Sequence, residues 1–195
     1  MIAYGQNGVS LRPGQGYPAR LFNPGWVGNT SVKWLRRIEV TNRPSMTREE
    51  TARYIEKNEE GKVRQFSFVM DARSLITYPG YPQSIQPGIV DIQGIAWSGR
   101  GKIAKVEISL DDRKNWQEAH LQQPILSKAF TRFQFPWDWK GKPTTIWSRA
   151  IDETGYVQPS MDELKTSMDN PKGYHGSFTV GWTVKANGHV MYRVQ

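Results

Sequence analysis

The 195-residue chain contains no cysteine. That excludes a disulfide framework, a cysteine-based zinc site and a thiol nucleophile. Its three histidines, His120, His175 and His189, are far apart and not in ligand spacing, so a self-contained metal site is not expected. No apolar run approaches the ~20 residues that a membrane-spanning helix needs, and no membrane partner is expected. The opening MIAYGQNGVS has neither the basic start nor the apolar stretch of a secretory leader. A GxGxxG loop leading into a helix, a P-loop, an HExxH and a GxSxG are all missing, which removes the commonest nucleotide, zinc-protease and serine-hydrolase signatures.

What is present points to β structure. Eighteen glycines and twelve prolines punctuate the chain with turns, while 37% hydrophobic and 12% aromatic residues suffice for a core. The net charge of +8 raises the question of nucleic acid. The cations, however, are scattered in KWLRR, KVRQ, GRGK and DDRKNW, so nucleic acid is not expected as a partner. A basic surface of this kind equally suits an acidic protein or an anionic substrate.

Residues 1–40 alternate turns with short apolar strands. In SMTREETARYIEKNEEGK, Thr47 followed by Glu50 has the form of a capping box, and the pattern predicts one short exposed helix stopped at Gly61. Residues 66–88 read as a connector, in which prolines 79, 82 and 87 make regular structure improbable after Ile76, with a domain boundary near 82–88. Beyond it, GIVDIQGIAW, IAKVEISL, FTRFQFPWDW, TTIWSRAID and a hairpin turning at ANGH give about seven short strands. Ile103, Val106, Ile108 and Leu110 are expected on one face. The fold expected is mainly β: an immunoglobulin-like sandwich over 83–195, preceded by a separate unit over 1–82.

Candidate sites are few. Asp111 and Asp112 read as turn residues before they read as an acid/base pair. GRGK at 99–102 reads as a loop, with phosphate binding as the alternative. Lys172, Tyr174 and His175 form a polar cluster in NPKGYHGS, and loops carry function more than strands do. The densest signal is GQGYPARLFNPGWVGNTSVKWL, residues 14–35. Its glycines and prolines build a stiff frame around just two charges, Arg20 and Lys33. An arginine fork and a lysine point charge on glycine-rich backbone suit an anion such as a phosphate. A strand–turn–strand with exposed charges is the alternative.

The same stretch carries a resemblance. Gly16-Tyr17-Pro18-Ala19-Arg20, Pro24-Gly25-Trp26-Val27-Gly28 and Val32-Lys33-Trp34-Leu35 resemble, in order and spacing, a segment of the sulfite oxidase family. IAWSGRGKIAKVEISLDDRKNWQEA and WSRAIDETGYVQP are similar to that family's carboxy-terminal dimerisation domain. YGQNG at 4–8 and RQFSFVMDARSLIT look like the molybdenum-cofactor subunits of bacterial sulfane dehydrogenases. The resemblance implies that Arg20 and Lys33 grip the phosphate and pterin of a molybdopterin cofactor. It places Gln15, where many members have His, together with Gly28, Asn29 and Ser31, along the pterin. Lys172 matches a loop arginine that approaches the substrate pocket in many members. A DYKG-type tyrosine segment of eukaryotic members is not recognisable here.

The implied chemistry is a two-electron oxidation of a reduced, anionic sulfur species, sulfane sulfur or sulfite, with electrons passing to a c-type cytochrome. The implied assembly is a homodimer, and the implied location the periplasm. The family holds molybdenum through a cysteine that this chain lacks. The resemblance therefore implies a carboxy-terminal portion of the enzyme, inactive alone, in which residues 1–82 are the tail of an α+β molybdopterin-binding domain that supplies part of the pterin site and residues 83–195 the dimerisation domain with its interface. A non-catalytic homodimerisation module and a polyanion binder are the alternatives.

Overall fold

The computed structural model describes residues 1–57, 61–65, 69–165 and 176–193. The first part is a string of very short elements. Strands β1 (Ile2–Ala3), β2 (Gly5–Gln6), β3 (Val9–Ser10) and β4 (Arg20–Leu21) form two-residue ladders, β1 with β4 and β2 with β3. The predicted helix is reduced to one wide turn, Glu49–Arg53, in which Thr51 donates from both N and Oγ1 to the Thr47 carbonyl. No side-chain cap forms there, and the chain instead enters a β-hairpin, β5 (Ile55–Lys57) against β6 (Val63–Gln65). Gly61, expected as a helix stop, takes φ +75° between these strands. The capping box lies elsewhere. Ser160 Oγ accepts from Glu163 N–H at 3.2 Å and Glu163 Oε2 accepts from Ser160 N–H at 2.7 Å, opening helix α1 (Met161–Lys165).

Two antiparallel sheets form the rest, a mainly β sandwich consistent with the immunoglobulin-like architecture expected. One holds β7 (Arg73–Tyr78), β8 (Gly88–Trp97), β11 (His120–Leu121) and β12 (Thr131–Trp139) in the order β11-β12-β8-β7. The other holds β9 (Ile103–Ser109), β10 (Gln117–Glu118), β13 (Thr144–Asp152), β14 (Gly181–Val184) and β15 (Val190–Arg193) in the order β10-β9-β13-β14-β15. Strict alternation drives the pairing of β12 with β8, residue for residue from Thr131↔Ala96 to Trp139↔Gly88. Phe133, Trp137 and Trp139 from β12 meet Val90, Ile92 and Ala96 from β8, with Val106, Ile108, Ile146 and Ala150 opposite. Gly94 makes room for this: a Cβ there would come within 2.6 Å of Phe133 Cε1.

Ile103 and Val106 are three apart, yet both belong to the core. The reason is a register shift: Ile151 pairs with Lys105 while Asp152 pairs with Ile103, so β9 carries one extra residue and its later face is re-aimed. Strand β7 pairs with β8, so residues 73–78, expected as part of a connector over 66–88, belong to the sandwich sheet although they precede the expected boundary at 82–88. The prolines stop the strand at Tyr78 without preventing it. The ANGH hairpin forms as expected between β14 and β15, with Gly188 at φ +83°.

One polar residue bolts the sheets together. Gln158 is fully buried, and its Oε1 accepts from Ser74 N–H (2.8 Å), Ser74 Oγ (2.8 Å) and Ala150 N–H (3.1 Å). Its Nε2 donates to Phe178 O at 3.0 Å. Ser74 is on β7 and Ala150 on β13, so this single amide bridges both layers. Among the described residues no helix is long and apolar enough to cross a membrane.

Candidate functional site

The segment that stood out in the sequence folds into a compact cradle. Pro13–Gln15 makes a short 3₁₀ turn, closed by Gly16 in the left-handed region at φ +108°. The chain then runs through β4, turns at Gly25 and Gly28–Thr30, and returns alongside itself, with Leu21 N–H donating to Val32 O and Leu35 N–H to Ala19 O, both at 2.8 Å. Gly16 lies where the strands meet. A Cβ there would be 3.1 Å from Lys33 Cα and 3.2 Å from Arg20 Cβ, so the segments that carry the two cations pack against each other at a buried position that only glycine fits.

Arg20 is held by backbone. Its Nη1 donates to Gln15 O at 3.2 Å and its Nη2 to Ser31 O at 3.4 Å. Its Nε is buried without a hydrogen-bond partner, and Asn29 Oδ1 is too. Asn23 braces the returning turn, donating from N to Ser31 Oγ and from Nδ2 to Thr30 O, both at 3.2 Å. Trp34, at φ +52°, is pinned by its indole N–H to Pro13 O at 2.9 Å, and its ring lies 5.7 Å from Lys33 Nζ. Among the described residues no carboxylate pairs with Arg20 or Lys33.

Six of the seven expected site residues, Gln15, Arg20, Gly28, Asn29, Ser31 and Lys33, are thus neighbours in one turn system. Gln15 has a local task as well, since its Oε1 accepts from Arg12 N–H at 3.0 Å. Lys172 lies outside the described residues, as do Tyr174 and His175. Gly16 and Asn23 were not singled out as site residues; the GYPAR motif was the available signal for the first, and Asn23 had none. Asp111 and Asp112 are turn residues as expected. Asn115 N–H and Nδ2 and the Ser109 hydroxyl hold the Asp111 carboxyl down to about 2, and Asp112 accepts the Trp147 indole N–H. In the GRGK loop the Arg100 guanidinium is already paired with Asp71.

The cradle makes specific chemical demands. Two unopposed cations ask for an anion, a buried Arg20 Nε–H asks for an acceptor, and a buried Asn29 Oδ1 asks for a donor. A flat group with an anionic phosphate and ring N–H donors meets all of them, which is the donor and acceptor set of a molybdopterin.

The comparisons with known proteins agree. Residues 1–49 match the family model of the oxidoreductase molybdopterin binding domain, and residues 64–173 that of the Mo-co oxidoreductase dimerisation domain. The chain belongs to the sulfite oxidase family of molybdopterin oxidoreductases. The crystal structure of the sulfane dehydrogenase SoxCD from Paracoccus pantotrophus superposes with a TM-score of 0.94 at 43% identity, over 100% of this chain and 51% of that one. Mitochondrial sulfite oxidase of Homo sapiens is 31% identical over 173 residues, covering 82% of this chain and 32% of that protein. The NADPH nitrate reductase of Fusarium oxysporum is 31% identical over 144 residues, covering 64% of this chain and 16% of that protein. The chain therefore spans a third or less of these curated relatives and half of the solved chain.

Proposed function

We propose that the protein to which this chain belongs is a molybdenum-cofactor oxidoreductase that oxidises a reduced sulfur compound, with sulfane sulfur favoured over sulfite. The observation that carries the reading is the Gly16 cradle, with Arg20 and Lys33 on either side of it and the unpartnered Arg20 Nε within it. The likeness to a sulfane dehydrogenase over the full chain supports the sulfur substrate. A DYKG-type tyrosine segment is not recognisable in this chain, which argues against sulfite as the substrate.

In this reading Arg20 and Lys33 neutralise the cofactor phosphate, Asn29 accepts from the pterin edge, Gly16 lets the Arg20 and Lys33 segments lie close together, and Gly28, with open space around it, lets backbone approach the ring. Gln15 and Ser31 fix the Arg20 guanidinium through their carbonyls, which orients the fork before the cofactor arrives. By the resemblance, Lys172 is the candidate for the cation that serves the anionic substrate. When bound, the cofactor supplies two-electron redox chemistry at sulfur. The protein works as a homodimer in the periplasm, hands electrons to a c-type cytochrome, and has no catalytic activity in the 195-residue piece alone.

The test is cytochrome c reduction by the purified full-length protein, with sulfite, thiosulfate and a sulfane-carrying thiol compared in parallel. Nitrate with a reduced viologen dye serves as the counter-assay, because nitrate reductases are among the relatives. Turnover with a sulfane donor above that with sulfite supports the reading. Turnover with nitrate alone contradicts it, and no turnover with a fully loaded cofactor leaves the dimerisation role as the better account.

A further inference from the structure

The molybdopterin-type segment and the sandwich meet at a joint that no sequence pattern marks. Gly25 and Gly99 touch backbone to backbone: a Cβ on Gly25 would lie 2.6 Å from Gly99 O, and one on Gly99 would overlap Gly25 O. Met70 sits between them, donating from N to Gly25 O at 2.9 Å and accepting from Gly99 N–H at 2.8 Å. Trp26 and Val69 form an isolated β-bridge beside it. Gly25 opens the turn that carries Gly28, Asn29 and Ser31 into the cradle.

A half-buried charge locks this joint from the sandwich side. Arg100 Nη2 pairs with the buried Asp71, the residue next to Met70. The Arg100 guanidinium stacks 4.1 Å over the Tyr156 ring. Arg100 N–H donates to Ser98 Oγ at 3.0 Å, and Ser98 Oγ donates to the buried Asp152 at 2.7 Å. Asp152 Oδ1 also accepts from Thr154 N–H and Oγ1 and from Tyr156 N–H, so the platform under the guanidinium is itself fixed. An arginine held by a flat ring on one side and a carboxylate on the other has little freedom, and what it holds inherits that rigidity.

We propose that Arg100 is a positioning residue: through Asp71 and Met70 it fixes the Gly25 turn, and so sets where Asn29 and Ser31 stand in the cradle. Its importance for the cofactor rests on the molybdopterin reading above; its effect on the turn does not. The alternative fixing device would be a large apolar interface between the two parts. Among the described residues two glycines, Met70 and a charge clamp join the parts at this point, so motion of the Gly25 turn should depend on the clamp.

The test is hydrogen exchange by mass spectrometry on the full chain, comparing peptides over 20–35 with those over 131–139, alongside pterin content of the full-length protein. With Arg100→Ala, exchange over 20–35 is expected to accelerate about tenfold or more while 131–139 stays unchanged. Arg100→Lys, which keeps the charge toward Asp71 and loses the flat stack, should lie between. Glu107→Gln breaks a comparable half-buried charge cluster on β9 away from the joint, and should leave 20–35 unchanged. Should Arg100→Ala unfold the chain, Asp71→Asn removes the same pair with little change of shape and decides the matter. Unaltered exchange over 20–35, or equal acceleration in Glu107→Gln, overturns the proposal. Faster exchange over 20–35 in a protein that carries no pterin even as wild type keeps the clamp and sinks the cofactor reading.

Discussion

The two parts of this chain spend their apolar residues in opposite ways. In the sandwich, Phe133 and Ile92 are 0% exposed and Trp139 1%, closed between sheets that interlock through Gln158. In residues 1–57, Leu11 is the single buried apolar side chain longer than alanine among the described residues, while Tyr4 is 80% and Val40 96% exposed. Burial at roughly 25 cal/mol per Å² therefore stabilises the sandwich from within. The first part is shaped by backbone bonds, by Arg20 and Trp34 reaching carbonyls, and by the joint at Gly25. A binding segment with no core of its own can be rigid only where something outside it holds it, which is why the clamp at Arg100 matters.

The contrast can be broken in graded steps. Phe133→Ala opens a cavity in the sandwich core and should cost about 3–5 kcal/mol, read as a lower denaturation midpoint. Gln158→Leu leaves Ser74 N–H, Ala150 N–H and Phe178 O without their buried partner; at about 1–3 kcal/mol per orphaned group it should be the most damaging polar change in the sandwich. Gly25→Val forces a β-branched residue to φ +81° against Gly99 O, and should destabilise by about 1–3 kcal/mol, with the loss concentrated in exchange over 20–35. Val40→Ser, at an exposed site of the first part, should stay within about 0.5 kcal/mol of wild type.

Acid should act on the sandwich through identifiable carboxylates. Burial pushes Glu107 up, but its bonds to Lys105 and Arg149 outweigh that and leave it below its ordinary 4.5. Burial likewise pushes Asp152 up, and Thr154, Ser98 and Tyr156 bring it below 3.8. Both folded values are depressed, so their stabilisation is present above the unfolded values and is lost as pH falls through the folded ones. Thermal midpoints should hold from about pH 5 upward as far as these groups are concerned, and fall below about pH 4.5. Glu107→Gln should flatten the upper part of that acid slope.

The sequence was informative where one local rule acts alone. Alternation in FTRFQFPWDW and the ANGH turn predict the strands and hairpin that form. The bulge in β9 was not legible, because Ile103 and Val106 look inconsistent until Ala104 is seen as the extra residue opposite Ile151 and Asp152. The capping-box pattern occurs at Thr47/Glu50 and at Ser160/Glu163, but only the second has a helix docked by buried Met161 and Leu164. Tertiary support, not the motif, separates them. Arg20 and Lys33 stood out because they lie in one dense stretch. Arg100 and Asp71 did not, since they come from separate segments and meet only in three dimensions. Asp152 and Gln158 lie in one short motif, yet their roles, a turn and a bolt between sheets, arise only when β7, β13 and the loop before α1 come together.

The most direct test of the central claim is the molybdenum and pterin content of the full-length protein carrying Arg20→Ala, measured beside wild type and beside Arg113→Ala, whose guanidinium stacks on Trp147 in the sandwich. If the Gly16 cradle holds the cofactor phosphate, Arg20→Ala should retain about tenfold less cofactor, the loss of one charge-assisted contact, with Arg113→Ala matching wild type. Equal cofactor content in all three would place the cofactor elsewhere and contradict the account.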